Sequence, residues 1–280
     1  MHDSHLAHAI QTNVSSALAE DMGSGDLTAQ LIPAERTACA TLITREAAVL
    51  CGSAWFEACF TALDPSVQIV WRVVEGANFV ANAVLCEIRG NARAILSAER
   101  PALNFLQTLS ATATVTHHYV QAITGTGAVI MDTRKTLPGL RLAQKYAVKI
   151  GGGVNQRKGL FDGVLIKENH IAAAGGIAAA LKNAQQQTPS GIPIQIEVES
   201  LAELDQALAA GAELILLDNF DLDRLRQAVQ LTAKRAILEA SGGINLENVR
   251  AIAECGVDRI SIGGLTKHVQ AVDLSLRIQT

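Results

Sequence analysis

The sequence predicts an α/β chain in two parts, a mixed α+β layer followed by a parallel array of βα units. Three observations carry this. The chain has 280 residues, enough for about two domains at roughly 150 residues each. It can therefore bury a large core without disulfide or metal staples. Its pattern changes character near residue 112. After residue 125 come six short β-branched runs, five of them ending at or beside a polar residue and the last at a glycine pair, and helical stretches separate them.

In the first part, Leu6, Ala9, Ile10, Val14 and Leu18 recur at helical spacing, so an amphipathic helix is expected over His5–Leu18. Gly23, Ser24, Gly25 and Asp26 then break the chain. β-like runs follow at Ala38–Thr44, Ala48–Cys51, Val67–Val73 and Val84–Arg89, with a helix-like stretch over Ala54–Leu63. Strands with one or two helices suggest an α+β layer. A longer helix is expected to begin near Glu99, with Pro101 in its first turn, where a missing N–H costs nothing. Leu103, Leu106 and Leu109 form its apolar stripe.

In the second part the runs are Ala128–Asp132, Gly163–Lys167, Ile194–Val198, Leu214–Asp218, Ala236–Ala240 and Arg259–Gly263. From Glu197 their spacing settles at about one compact βα unit. Repeated strand and helix in one direction means a parallel sheet, either covered on both faces or closed into a barrel. Asp132, Lys167, Glu197, Asp218, Glu239 and Ser241 fall at or near the C-terminal strand ends. In a parallel barrel those ends converge on one face, where active sites are built. One charged strand end is usually a solvated loop entry, but six in register point to a functional mouth.

Composition narrows the function classes. The formal charge is −4 and aromatic residues are 4% of the chain, a poor match to a general nucleic-acid binder. Hydrophobic residues are 49% and charged residues 18%, which excludes disorder, collagen and coiled coil for the whole chain. No apolar run reaches the roughly 18 residues of a membrane span. The first 21 residues lack a basic head, an apolar middle and a small-residue cleavage site, so they do not read as a secretory signal. Cys39, Cys51, Cys59, Cys86 and Cys255 are odd in number and scattered. Free thiols in a reducing cytoplasm are the expectation. His2, His5 and His8 suit a mobile terminus better than a metal site, and Trp55 and Trp71 suit the core.

The segment 132–168 is basic within an acidic chain. Arg134, Lys135, Arg141, Lys145, Lys149, Arg157, Lys158 and Lys167 face only Asp132, Asp162 and Glu168. Such a pocket implies a polyanionic small molecule drawn by a focused field. Arg suits carboxylates and phosphates because its fork meets two oxygens at once. A solvated helix accounts for Arg141, Lys145 and Lys149 at i, i+4 spacing. It does not account for Arg134, Lys135 and Lys167, which follow or end strands. Gly151–Gly153 allow close approach of a ligand to the backbone. Ser241, Gly242 and Gly243 follow one late strand, before a helix expected near Leu246. Gly263 and Gly264 follow the last. Such turns at helix starts are frequent phosphate sites.

The segments TRKTLPGLR, KYAVKIGGGVNQRKGLFDGVLIKENHI, IEVES, LLDNF, EASGGI and SIGGLTKHV, with EDMGSGDLTA and ERPALNFLQTLSATAT upstream, resemble the quinolinate phosphoribosyltransferase family over almost the whole chain. The resemblance implies an N-terminal α/β sandwich over residues 1–111 and an open seven-stranded α/β barrel over 112–266. A C-terminal helix over 267–280 is expected to pack back on the first domain. It implies formation of nicotinate mononucleotide, CO2 and pyrophosphate from quinolinate and phosphoribosyl pyrophosphate (PRPP), with Mg2+, in de novo NAD synthesis. A homodimer at minimum, or a hexamer, is implied, with each active site shared across the interface. Thr133, Arg134, Lys135, Gln156, Arg157 and Lys167 would line the pocket for quinolinate and neighbouring phosphates, with Arg100 reaching in from the partner subunit. Glu197 and Asp218 would face the ribose and its metal, mainly through PRPP and water. Ser241, Gly242, Gly243, Ile262, Gly263 and Gly264 would hold the sugar's terminal phosphate. Lys135, Glu197 and Asp218 are the expected catalytic residues.

One position departs. The family typically reads Asn-His-Arg where this chain has Asn155, Gln156 and Arg157. Gln donates a hydrogen bond but cannot become positive. This leaves open a same-fold relative acting on another substrate, including a molybdenum-associated type, and a binding-only relative. Lys167 at a strand end would also suit a Schiff-base aldolase.

Overall fold

In a computed structural model the described residues are 3–279, with Asp3 described through its backbone alone. The first half contains α1 (Asp3–Met22), β1 (Thr37–Thr44), β2 (Ala48–Val49), α2 (Ser53–Leu63), β3 (Gln68–Trp71), β4 (Asn78–Phe79), β5 (Val84–Asn91) and α3 (Ala92–Ala122). Then come β6 (Val129–Met131), α4 (Arg141–Ile150), β7 (Val164–Ile166), α5 (Glu168–Ala174), α6 (Ile177–Gln187), β8 (Ile194–Val198) and α7 (Leu201–Ala209). The chain continues through β9 (Leu214–Asp218), α8 (Leu222–Thr232), β10 (Ile237–Ser241), α9 (Val249–Glu254), β11 (Arg259–Ser261), α10 (Gly264–Lys267) and β12 (Leu274–Gln279). It divides into two compact units. One takes the residues up to His117, Leu137–Gly152 and the stretch from His268; the other takes His118–Thr136 and Gly153–Lys267.

The first unit is built on an antiparallel sheet ordered β12-β1-β5-β3. Ala40, Leu42 and Thr44 of β1 point inward at the two-residue period of a strand. Trp55, Phe56 and Phe60 of α2 and Leu103, Leu106 and Leu109 of α3 share their core. The two-residue strand β2 is tied to α3 by hydroxyls that replace ladder partners. Val49 N donates to Thr114 Oγ1 at 2.9 Å, and just beyond the strand Cys51 N donates to Ser110 Oγ at 3.0 Å. At Gly52 (φ 105°) a Cβ would lie 2.9 Å from Leu109 Cδ1. Its N–H and that of Ser53 donate to the Glu75 carboxylate, which also accepts from Tyr146 Oη. All five cysteines are free and four are buried. Burial pushes the Cys59 thiol up to about 12, so it stays protonated.

Three sequence expectations change here. The terminal helix over 267–280 is not formed. After the short α10, the described residues end in β12, whose Leu274–Gln279 pair antiparallel with Thr44–Cys39 of β1. The alternation Leu274, Leu276, Ile278 is a strand's period, which explains the outcome. The long helix α3 starts at Ala92, so Pro101 lies inside it. Asn91 Oδ1 accepts from Arg93 N and Ala94 N and caps that earlier start. Lys145 is not on a solvated face: it is 0% exposed, beside the equally buried Gln144.

In the second unit all six β-branched runs become strands of one parallel sheet, ordered β6-β11-β10-β9-β8-β7. Chain order runs steadily from β7 to β11, and β6, the first strand, lies next to the last. That order is a barrel with one seam, between β6 and β7. At the seam Val154 makes a single parallel bridge to Met131, with Val154 N donating to Ile130 O at 2.8 Å. The expected seventh strand is present as this bridge alone, between three glycines and a polar run that sustain no ladder. Ile196, Ile215, Leu217, Leu238 and Ile260 are buried. Polar residues start the helices just beyond the strands: Ser200 Oγ accepts from Glu203 N, and Asp221 Oδ1 from Arg224 N.

Candidate active site

Within the second unit the strand ends gather the polar groups. Asp132 follows β6 and is fully buried. Its carboxylate accepts from Asn155 Nδ2 at 2.6 Å and from Gln156 N at 2.9 Å. Asp132 is thus a brace that holds the 155–157 turn against β6. Gln156 Nε2 in turn lies 3.4 Å from both Gln195 Oε1 and Glu239 Oε1. Gln195 Nε2 donates to Glu239 Oε2 at 2.9 Å. Gln195 is on β8 and Glu239 on β10, two strands apart, so their side chains meet inside the barrel, as side chains from alternate strands do in a layer.

The cationic groups lie around this network. Arg157 Nη1 donates to Gly163 O at 3.0 Å, while its Nε is buried without a hydrogen-bond partner. Burial, and next the nearby Arg134 charge, lower the Arg157 pKa; Asp162 opposes them. Arg157 is thus partly desolvated and sits in the field of a like charge. A bound anion relieves both penalties. The Lys158 and Gly159 N–H groups donate to the Asp162 carboxylate, which shapes the loop that follows.

Lys167 follows β7 as the N-cap of α5, and Glu197 lies on β8. Lys167 Nζ is 2.8 Å from Glu197 Oε2 and 3.1 Å from Oε1. The Lys167 side chain is 45% exposed and that of Glu197 10%, so the pair faces an open mouth. The backbone N–H of Lys167 donates to His170 Nδ1 at 3.1 Å, which makes His170 part of the start of α5. Asp218 closes β9 in register with Ser241 of β10, and its Oδ2 accepts from Asn219 Nδ2 at 2.9 Å.

The two glycine turns adjoin these carboxylates and cations. Gly242 has φ 97° and Gly243 φ 60°, and a Cβ on Gly242 would collide with Asn219 Oδ1. Asn248 Nδ2 donates to Gly243 O, and Asn245 and Asn248 cap each other's backbone. The helix here begins at Val249 rather than near Leu246. Across the last strand, a Cβ on Gly263 would stand 3.0 Å from Lys135 Cδ and 3.5 Å from Thr133 Oγ1. Lys135 therefore runs its stem over Gly263, and Thr266 Oγ1 donates to Lys135 O at 2.8 Å. Ile262 is buried and its N–H donates to Met131 O, while its Cγ2 lies 3.8 Å from where a Cβ on Gly264 would stand. The helices after the two turns have six and four residues. An anion would meet turn N–H groups more than a long helix dipole.

The second unit thus brings together Thr133, Lys135 and Gly263, then Gln156 and Glu239, then Lys167 and Glu197, and then Asp218, Ser241 and Gly242. Arg134 belongs with Arg157. Arg100 is exposed on α3 and belongs to the first unit. Sequence reading passed over Gln195, Asn219 and Thr266. Gln195 had a signal: it precedes Glu197 by two residues on a strand, so both share a face.

A family model described as quinolinate phosphoribosyl transferase, C-terminal domain, matches residues 112–277, and the corresponding N-terminal domain model matches residues 26–110. The chain is 42% identical over 259 residues to a probable nicotinate-nucleotide pyrophosphorylase (carboxylating) of Bacillus subtilis, covering 92% of this chain and 90% of the relative. It is 41% identical over 278 residues to the nicotinate-nucleotide pyrophosphorylase (carboxylating) of Mycobacterium leprae, covering 96% of each. Among solved structures, the nicotinate-nucleotide pyrophosphorylase of Francisella tularensis matches with a TM-score of 0.94 and 47% identity, over 97% of this chain and 96% of that one. Among the described residues no helix is long and apolar enough to cross a membrane.

Proposed function

The chain belongs to the quinolinate phosphoribosyltransferase family, and from that premise we propose that the barrel mouth joins quinolinate to the ribose of PRPP. Nicotinate mononucleotide, CO2 and pyrophosphate are the products. The observation that carries this is the Arg134–Arg157 pair, with a buried, unbonded Nε on Arg157. Two neighbouring guanidinium groups, one of them partly desolvated, suit an adjacent pair of carboxylates, which quinolinate has.

The chemistry follows from charge. The bond from the anomeric carbon to pyrophosphate loosens first, leaving positive character on the sugar. Glu197 and Asp218 stabilise that charge or hold the ribose hydroxyls, and Lys135 neutralises the departing pyrophosphate. The pyridine nitrogen then forms the new bond to the anomeric carbon. Its positive charge stabilises the carbanion left on the adjacent ring carbon when that carboxylate leaves as CO2, and a proton then adds to that carbon. Ser241–Gly243 and Gly263–Gly264 receive the sugar's terminal phosphate through backbone N–H groups. No side-chain nucleophile is needed.

No group of three or more His, Cys, Asp or Glu side chains that could hold a metal is assembled among the described residues. Glu197 and Asp218 supply hard oxygen donors, and Mg2+ commonly takes one or two carboxylates with substrate phosphates completing its shell. The donor chemistry fits, and when bound Mg2+ supplies charge neutralisation at the pyrophosphate. We place the reaction in the cytoplasm and in a homodimer or hexamer, with Arg100 serving the neighbouring subunit's site. The test is to mix purified protein with quinolinate, PRPP and Mg2+ and to detect nicotinate mononucleotide. Pyrophosphate release without that product, or no turnover, overturns the reading. A binding-only relative would take up quinolinate without turnover.

A further inference from the structure

The network beneath the mouth has no part in the chemistry above, yet it contains a carboxylate that is 1% exposed. Burying a carboxylate is costly, and a well-packed apolar side chain in its place is often neutral or stabilising. Glu239 therefore needs a reason beyond stability, and its partners supply one. A carboxylate only accepts hydrogen bonds. Glu239 Oε2 accepts from Gln195 Nε2 at 2.9 Å and Glu239 Oε1 from Gln156 Nε2 at 3.4 Å. Gln195 Oε1, turned away from Glu239, accepts from Gln156 Nε2 as well. The two ends of an amide are nearly equal in shape, so packing alone does not choose between them. Here one acceptor-only group chooses for both glutamines and points the Gln156 NH2 inward.

We propose that Glu239, directly and through Gln195, is a positioning residue that fixes the side-chain orientation of Gln156 and thereby sets the affinity of the site for the aromatic dicarboxylate. This rests on the proposed reaction, and it assigns Glu239 and Gln195 no contact with substrate. Gln156 shares its turn with Arg157, and Asp132 fixes the backbone of that turn. Backbone and side chain of Gln156 are therefore held by two different carboxylates. The first sets where the residue sits and the second sets which way its amide faces. Glu197 follows Gln195 by two residues on β8, so it shares that face one layer nearer the mouth, paired with Lys167.

The test is a double-mutant cycle on the full-length protein, read as KM for each substrate and as kcat. Glu239→Gln keeps the volume but brings an NH2 against an NH2 unless an amide turns over. Its expected effect is a KM for quinolinate raised about tenfold, with kcat and KM for PRPP within about threefold. Gln195→Met is the second variant, with the same direction expected should Glu239→Gln fold poorly. Because Glu239 acts through Gln156, adding Glu239→Gln to Gln156→Ala should raise KM no further than Gln156→Ala alone. Additive effects, or a loss confined to kcat, overturn the positioning role. Quinolinate binding by calorimetry separates the two readings. A wild-type protein that binds no quinolinate sinks the site assignment and this inference with it. A wild-type protein that binds and turns over while the cycle is additive sinks the inference alone.

Discussion

Lys167 Nζ lies 2.8 Å from Glu197 Oε2, with Lys167 just past the end of β7 and Glu197 on the neighbouring strand β8. The cation is thus partly neutralised before any substrate arrives. Removing the negative member frees a cation for a dicarboxylate but takes a stabilising charge from the developing sugar cation. Glu197→Gln should therefore lower kcat by about 100-fold to 1000-fold while KM for quinolinate stays level or falls. Steady-state kinetics with each substrate varied in turn checks this. A rise in KM with kcat preserved would place Glu197 in binding rather than in catalysis.

Lys135 is exposed and its stem crosses Gly263. A surface-lying lysine can be truncated without opening a cavity, so Lys135→Ala should leave stability within about 0.5 kcal/mol of wild type. Turnover should fall by two orders of magnitude or more, since one charge-assisted contact to the leaving group is worth about 2–4 kcal/mol. Denaturant unfolding alongside pyrophosphate release separates the two quantities. Near-wild-type turnover would remove Lys135 from the mechanism.

Gly242 combines φ 97° with a neighbour, Asn219, that leaves no room for a Cβ. Gly242→Ala meets both strain and collision, at a cost of about 1–3 kcal/mol. Asn219 is itself at φ 55° and its Nδ2 holds Asp218, so relief by moving Asn219 would disturb the ribose end of the site. The expected result is a raised KM for PRPP with KM for quinolinate little changed. Equal effects on both would show that the turn is a general structural element.

The barrel was legible because its strands are short apolar runs, largely buried and mostly ending at or beside polar residues, and each of the six forms. Pairings such as Lys167 with Glu197 follow from neighbouring strand ends. Other relations were not legible because they depend on which way a side chain faces within the barrel. Gln195 lies within a run where the eye goes to the strand end, and only its period-two relation to Glu197 betrays it, while Glu239 is visible as a strand-end carboxylate but its bond to Gln195 is not. Lys145 looked solvated because i, i+4 cations usually are; its burial is decided by packing on α4, not by spacing. The terminal strand β12 was hidden by its partner, since the register of Leu274–Gln279 on β1 spans almost the whole length of the chain.

Asp26 supplies a pH test independent of the reaction. Its Oδ1 accepts from Ala29 N and Thr28 N and its Oδ2 from Ser97 Oγ. The Ala29 bond first, then the Ser97 bond, hold its carboxyl below the ordinary value of 3.8. A folded pKa below the unfolded one contributes stability above the unfolded value, and that contribution disappears as pH falls through the folded value. Asp26→Ala should therefore be less stable than wild type by a constant margin at neutral pH. The margin should narrow below about pH 4. Denaturation midpoints from pH 3 to about pH 7 test this. A margin that widens on acidification would mean the interaction has the opposite sign.

Arg100 decides whether the site is complete within one subunit. It is exposed on α3 and lies outside the unit that holds Lys135, Glu197 and the glycine turns. An arginine that serves a neighbour's site makes a specific prediction about mixed assemblies. Arg100→Ala and Lys135→Ala should each be nearly inactive alone. After dissociation and reassembly as a mixture, a dimer holding one of each has one site with both defects and one site with neither. Random mixing of equal amounts makes half the dimers mixed, so about one quarter of wild-type activity should return, in line with the shared interface of a two-fold assembly. Two inactive proteins that stay inactive after subunit exchange, verified by mass-tagged subunits, would mean that Arg100 does not act across an interface.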